Sequence, residues 1–234
     1  MRFCAFVRCL LVLGAVLPWL PLAGCATLYR AEAIEGWVVD AESGKPLEGV
    51  ILVAHWEVKG GLEGGVPIAE LQILETVTDS NGRYYFPAWG PKLILPTGQL
   101  EGNSPGLLLF KSGYRSQRFP NFYWQTYGTS VFYYDKKTLK LERFKGTLAE
   151  YAHDLGSLSS TLWIAGYDVG RYSGDYCGWK SFPRMLRALS QLDVEFRMVR
   201  GAPETVAAML TSNDKILKEK GCGSVFEVLG ETGK

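Results

Sequence analysis

The chain has 234 residues, 47% of them hydrophobic and 13% aromatic, with 25 Lys and Arg against 24 Asp and Glu. This near-balance of charge argues against a nucleic-acid partner, which normally needs a clustered basic face. The 27 glycines and 11 prolines favour a turn-rich β architecture over a helical bundle, and the length suffices for one large domain or two small ones.

At the N-terminus, Arg2 and Arg8 flank a charge-free apolar segment running from Cys9 through Leu22. It is shorter than the roughly 20 residues of a membrane-spanning helix and suits a signal-peptide core. The segment ends in Leu22-Ala23-Gly24-Cys25, which resembles the bacterial lipobox. The resemblance implies removal of residues 1–24, acylation of Cys25 (palmitate among the lipids), and tethering to a membrane by that lipid. Ala26, in place of Asp, resembles the signal for sorting to the outer membrane, with the protein facing the periplasm. An ordinary signal peptide followed by a chance cysteine is the alternative. Cleavage would remove Arg2 and Arg8, leaving 23 basic against 24 acidic residues in a near-neutral mature chain. Residues 25–33 then read as a lipidated tether.

From Ile34 the pattern changes to short β segments split by turn chemistry. Residues 35–40 and 49–58 read as strands separated by a Gly44–Pro46 turn. A Gly-rich loop follows at 59–67, then a strand at 70–78. Asp79-Ser-Asn-Gly82 predicts a hairpin with a type I′ turn, continued by Arg83–Phe86. A Pro- and Gly-rich insertion spans 87–106, and Leu107–Phe110 supplies another strand. This spacing argues for a sandwich or small barrel.

Four motifs occur in order: Gly36-x-Val38-x-Asp40; Gly44-x-Pro46-Leu47-x-Gly49-Val50; Thr78-Asp79-x-x-Gly82-x-Tyr84-x-Phe86; and Lys111-Ser-Gly113-Tyr114. Together they resemble the carboxypeptidase regulatory-like domain, a transthyretin-like β-sandwich found as an accessory module in exported proteins. The resemblance covers residues 34–119 and implies a non-catalytic module, since the motif residues are turn glycines, a turn proline and core aromatics. The expected sandwich occupies residues 34–135.

Beyond Asp135 the apolar spacing becomes helical. Leu148, Tyr151, Leu155, Leu158 and Leu162 fall three and four apart. Phe182, Met185, Leu186, Leu189, Leu192 and Phe196 repeat the spacing, with Ser181 as the predicted N-cap and Gly201 as the stop. A third helix is predicted from Pro203 to Gly221, interrupted near Ser212-Asn-Asp. The fold class is therefore α+β, an antiparallel transthyretin-like sandwich followed by a helical region over 136–234. Once Cys4, Cys9 and Cys25 are set aside, Cys177 and Cys222 remain. In an exported chain they read as a disulfide stapling the open end of a helical hairpin, free thiols or two metal ligands being the alternatives.

Candidate chemistry is sparse. His55-Trp-Glu57 places a histidine and a carboxylate on one strand face, but a metal site needs a third ligand and none is evident. His55 therefore reads as a strand histidine with a hydrogen-bond partner, and His153 as a surface residue of a helix. Neither begins the His-x-x-Glu pattern of zinc carboxypeptidases. The pattern through Trp56 loosely resembles intradiol dioxygenases, whose iron is bound by two tyrosines and two histidines; no His-x-His pair follows the sandwich, and that activity is not expected. Tyr114-Arg115-Ser116-Gln117 lacks the terminal Tyr-Arg-Gly-Ser of hydroxyisourate hydrolases. Gly102-Asn-Ser104-Pro-Gly106 matches the letters of a nucleophile elbow, yet a strand rather than a helix follows the serine. Asp79 and Asn81 offer too few oxygens for calcium. No cofactor or metal is expected.

The richest surface candidate is the aromatic segment from Phe119 to Tyr134, with Tyr123, Trp124, Tyr127 and Tyr133 as binding residues for an envelope protein or glycan. The same aromatics would also serve as packing where the sandwich meets the helices. The resulting expectation is a lipid-anchored envelope binding or scaffolding protein without catalytic activity. The competing reading is an envelope enzyme centred on the loop 166–178, with Asp168, Arg171, Asp175 and Tyr176 as candidates.

Overall fold

Period-two burial organises the first half of the protein, and period-3.6 burial the second. The computed structural model describes residues 27–60, 65–94, 97–100, 104–120, 129–130 and 132–230. The lipobox-like segment with Cys25, and three of the four aromatic candidates (Tyr123, Trp124 and Tyr127), lie outside them. The strands are β1 (Thr27–Ala31), β2 (Ile34–Asp40), β3 (Ile51–Gly60), β4 (Val66–Val77), β5 (Arg83–Phe86), β6 (Trp89–Ile94), β7 (Gly98–Leu100), β8 (Gly106–Phe110), β9 (Gln117–Phe119), β10 (Thr129–Ser130) and β11 (Thr138–Leu141). The helices are α1 (Leu148–Trp163), α2 (Gly170–Ser173), α3 (Pro183–Phe196), α4 (Val206–Ser212), α5 (Asp214–Glu219) and α6 (Val225–Leu229), with a π-turn at Ile164–Asp168 and a 3-10 turn at Gly178–Ser181. The fold is α+β. Among the described residues, no helix is long and apolar enough to cross a membrane.

Among the described residues three sheets form, in the orders β11-β2-β5, β4-β3-β8-β9 with β7 on the end of β3, and β10-β1-β6. Antiparallel ladders dominate, while β11 on β2 and β10 on β1 run parallel. One core lies inside the sandwich, where Val38, Tyr84, Phe86 and Leu139 meet Leu52, Ala54, Trp56 and Leu109. The opposite face of β3 and β8 presents Val53, Leu108 and Phe110 to a second core. There they join Leu155, Leu162, Trp179, Phe182, Met185, Leu189 and Leu210 of the helical layer. The middle sheet is thus buried on both faces, which is why Gly106–Phe110 reads as an unbroken apolar run instead of alternating.

Several sequence expectations change in three dimensions. Residues 27–31, assigned to the tether, form β1 and bury Tyr29 and Ala31, because the strand ladders with β6. The Asp79–Gly82 turn does not close a hairpin within one sheet: β4 ladders with β3 and β5 with β2, so the turn carries the chain from one sheet to the other. Positive φ is confined to Gly82, at 71°, whereas a type I′ turn needs it at Asn81 as well. Asp79 Oδ1 instead accepts the Asn81 and Arg83 amides, each at 2.9 Å. The 87–106 insertion supplies β6 and β7. The sandwich runs past residue 135, since β11 pairs with β2 and the helical layer starts at α1.

The cap of α3 also differs. Phe182 occupies the N-cap position and makes no side-chain cap. Glu75 of β4 reaches across instead, accepting the amides of Arg184 at 3.1 Å and Met185 at 2.8 Å. Burial pushes its carboxyl pKa up, against the pull of those two amides. The helix ends at Phe196, ahead of the Gly201 stop, and its apolar positions stop there as well. The expected break in the third helix is present: α4 is capped by Thr205 and yields to α5 at Asn213.

A buried carboxylate ties the end of β2 to distant parts of the sandwich. Asp40 Oδ1 accepts from the amides of Glu42 and Ser43 and from the Ser43 hydroxyl, at 3.1, 2.8 and 2.9 Å. Its Oδ2 accepts from the Tyr114 hydroxyl at 3.0 Å and Arg143 Nε at 3.2 Å. These donors, the Ser43 amide foremost, hold the Asp40 carboxyl far below the usual carboxylate range. A depressed native pKa adds stability that is present above the unfolded value and lost as pH falls through the native one. Asp40→Asn is therefore expected to lower the melting temperature at pH 7. The gap to wild type should narrow below about pH 4, where the unfolded carboxyl protonates. A gap independent of pH would show that the charge of Asp40 is immaterial.

Candidate functional site

The residues that combine ligand chemistry with burial lie on β3 and β4. Strand parity sends Leu52, Ala54, Trp56 and Val58 into the sandwich core and Val53, His55 and Glu57 to the other face. On β4 the pairs are His55 with Ile73 and Trp56 with Gln72, and the register then shifts so that Glu57 faces Glu70. Leu71 is the extra residue of this β-bulge, and it packs against the sandwich core. Without the bulge Glu70 would stand opposite Val58 and point into that core. With it, Glu70 joins His55 and Glu57 on one face.

The three side chains bring one nitrogen and two carboxylate oxygens within 4.8 Å of one another. His55 Nδ1 lies 3.2 Å from Glu70 Oε1, with the two side chains 3% and 6% exposed. Glu57 is less enclosed and lies 3.6 Å from Lys59 Nζ. Burial raises the pKa of Glu70, an effect that His55 opposes and the Glu57 charge reinforces. Among the described residues, His55 Nε2 and Glu70 Oε2 are buried and have no hydrogen-bond partner. Gly106 pairs with His55 across the β3–β8 ladder. A Cβ there would sit 2.5 Å from His55 Nε2, so the glycine gives the imidazole its space. Glu70 thus brings alongside the third ligand-type side chain that His55-x-Glu57 lacks in the sequence. No signal in the sequence marks it, because only the bulge decides which way it faces.

Other candidates resolve into structural roles. Ser104 Oγ accepts the Glu57 amide at 3.2 Å and leads into β8, so it clips a loop to β3 and is not a nucleophile on a strand-to-helix turn. His153 is an exposed residue of α1. In the 166–178 segment, Arg171 pairs with Asp168 at 2.8 Å, and Asp175 Oδ1 accepts the Cys177 amide at 2.8 Å. Tyr176 packs on Tyr167 beneath Lys220. Asp168 and Arg171 thus pair with each other, while Asp175 and Tyr176 engage neighbouring structural groups. Cys177 and Cys222 form the expected disulfide, with Cα atoms 5.2 Å apart.

Of the aromatic segment, Phe132 is buried in the sandwich core, and Phe119 and Tyr134 pack against it. Tyr134 meets the rings of Phe119 and Phe132 at 5.1 and 5.5 Å. They fill the sandwich and do not form its junction with the helices. Among the described aromatics of the segment, Tyr133 is exposed, at 42%, with Lys137 Nζ 3.5 Å from its ring centre. Elsewhere a groove of about 510 Å³ opens beside α3 and α4, lined in part by Asp193, Arg197, Glu204 and Phe226.

No protein-family model matches this chain, and no curated protein does. Among solved structures it is similar at 16% identity to a streptococcal ancillary pilin, over 51% of this chain and 31% of that one, with a TM-score of 0.25. It is similar at 17% identity to 3-chlorocatechol 1,2-dioxygenase from Rhodococcus opacus 1CP, over 52% and 60%, with a TM-score of 0.26. The C-terminal domain of a shaft pilin from Lactobacillus rhamnosus GG matches at 13% identity, over 50% of this chain and 99% of that domain, with a TM-score of 0.23.

Proposed function

We propose that this protein is a lipid-anchored component of the bacterial cell envelope that binds or scaffolds, without catalysis, through a carboxypeptidase regulatory-like sandwich backed by a disulfide-stapled helical layer. The observation that carries the reading is Leu22-Ala23-Gly24-Cys25 behind a short apolar core. The Cys177–Cys222 disulfide agrees with an oxidising compartment. The Asp168–Arg171 ion pair and the Asp175 carboxylate on the Cys177 amide speak for a structural segment over the competing enzyme. Thr27, a residue of β1, follows Cys25 by two positions, at most about 7 Å of chain. Lipid on Cys25 therefore holds the β10-β1-β6 sheet close to the bilayer. Leu28 and Leu93, neighbours across the β1–β6 ladder and 63% and 53% exposed, lie on that sheet.

The test is metabolic labelling with a palmitate analogue in a bacterial host, followed by membrane fractionation. Wild type is expected to carry the label and sediment with the outer membrane, and Cys25→Ala to lose both. An unlabelled wild type, or a variant that stays labelled, overturns the anchor. For the binding role, crosslinking in intact envelopes should capture a partner that the Tyr123→Ala/Trp124→Ala variant loses. A partner set unchanged by that variant removes the aromatic segment from the interface, and an empty wild-type set removes the scaffolding role.

A further inference from the structure

We propose that His55, Glu57 and Glu70 form a binding site for one zinc ion, which clamps β3 to β4 beneath the helical layer. This goes beyond the anchoring and scaffolding role and does not depend on it.

Three observations carry the assignment. The first is composition and convergence: an imidazole and two carboxylates, all on one face of adjacent strands, place a ligand atom each within 4.8 Å of one another. Tetrahedral ligands at about 2.1 Å from zinc stand about 3.4 Å apart. Binding therefore closes the widest separation by up to about 1.4 Å. The second is unmet valence. Glu70 Oε2 is buried without a hydrogen-bond partner among the described residues, on a side chain 6% exposed and beside a second carboxylate. A buried carboxylate oxygen in that position is costly, and a cation shared with Glu57 satisfies both. The third is construction. The bulge at Leu71 turns Glu70 out of the sandwich core towards His55, and Gly106 clears the ring's own volume.

The donor set selects the ion. Calcium and magnesium take six or more oxygens, or several waters, whereas one imidazole with two carboxylates suits zinc and leaves a fourth position. His55 Nδ1 already faces Glu70, so the ion enters between Nδ1 and the two carboxylates, with Nε2 carrying the proton. The 164–173 segment, with the π-turn and α2, packs against β4.

The experiment uses the purified full chain, stripped with chelator and dialysed against ZnCl2, with bound metal read by elemental analysis and affinity by calorimetry. One zinc per chain is expected, with a rise in melting temperature. Glu70→Gln and His55→Gln should each weaken binding by roughly 100-fold or more, while His153→Gln leaves it unchanged. Cobalt(II) provides a readout independent of variant folding: wild type should give the intense visible absorption of a tetrahedral site, displaced by one equivalent of zinc. A stripped wild type that takes up no zinc overturns the site. So does a Glu70→Gln variant that binds as wild type does, or loss of binding in His153→Gln.

Discussion

Replacing both Cys177 and Cys222 with serine is expected to cost about 4 kcal/mol, the chain-entropy value for closing a loop of this length. The bond joins residues 45 apart, and the loop it closes contains α3, α4 and α5. Those elements contribute Met185, Leu186, Leu189, Leu210 and Leu217, all fully buried, to the core they share with the sandwich. α4 and α5 have seven and six residues, too short to persist alone, and so depend on being held against α3. For a chain of this size the loss corresponds to a fall of about 8–16 °C in melting temperature. Reductant should lower the melting temperature of wild type to that of the variant and leave the variant itself unaffected. Equal melting of oxidised wild type and double variant would mean that the apolar seam alone holds the helices.

Phe182→Ala is expected to cost about 3–5 kcal/mol, as for other large-to-small changes at fully buried aromatic sites. Phe182 has no exposed surface. It stands at the start of α3, and its ring reaches the backbone of Gly166, where a Cβ would lie 2.8 Å from Cζ. Trp179, also fully buried, approaches the same glycine. Truncating Phe182 therefore opens a cavity between the π-turn and α3, in a core that also contains Val53, Ile73, Leu108 and Phe110 of the sandwich. Chemical denaturation followed by tryptophan fluorescence should show the midpoint falling for Phe182→Ala and less for Phe182→Leu. A loss below about 1 kcal/mol would mean that the site collapses around the gap.

The sequence by itself determined what depends on local pattern and on counting. Apolar spacing marked α1 and α3, although the ends of α3 differ from the Ser181 cap and Gly201 stop, and Ser212-Asn-Asp marked the break between α4 and α5. Elimination of the N-terminal cysteines left Cys177 and Cys222 to pair. The turn glycines and core aromatics of the first half marked a β-sandwich. Helix periodicity and turn chemistry are written within a few residues of each position, so no distant partner is needed to read them. Tertiary structure decided whatever rests on register and on contacts between distant segments. Glu75 caps α3 from 109 residues away. The Tyr29 strand exists because β6 is there to pair with it. Phe132 and Tyr134 entered the sandwich core, a choice that aromatic composition leaves open. Above all, one extra residue at Leu71 reversed the face of Glu70 and completed a cluster of which His55-x-Glu57 shows two members. A strand has period two, so a one-residue slip exchanges its faces, and that slip is fixed by pairing across the sheet.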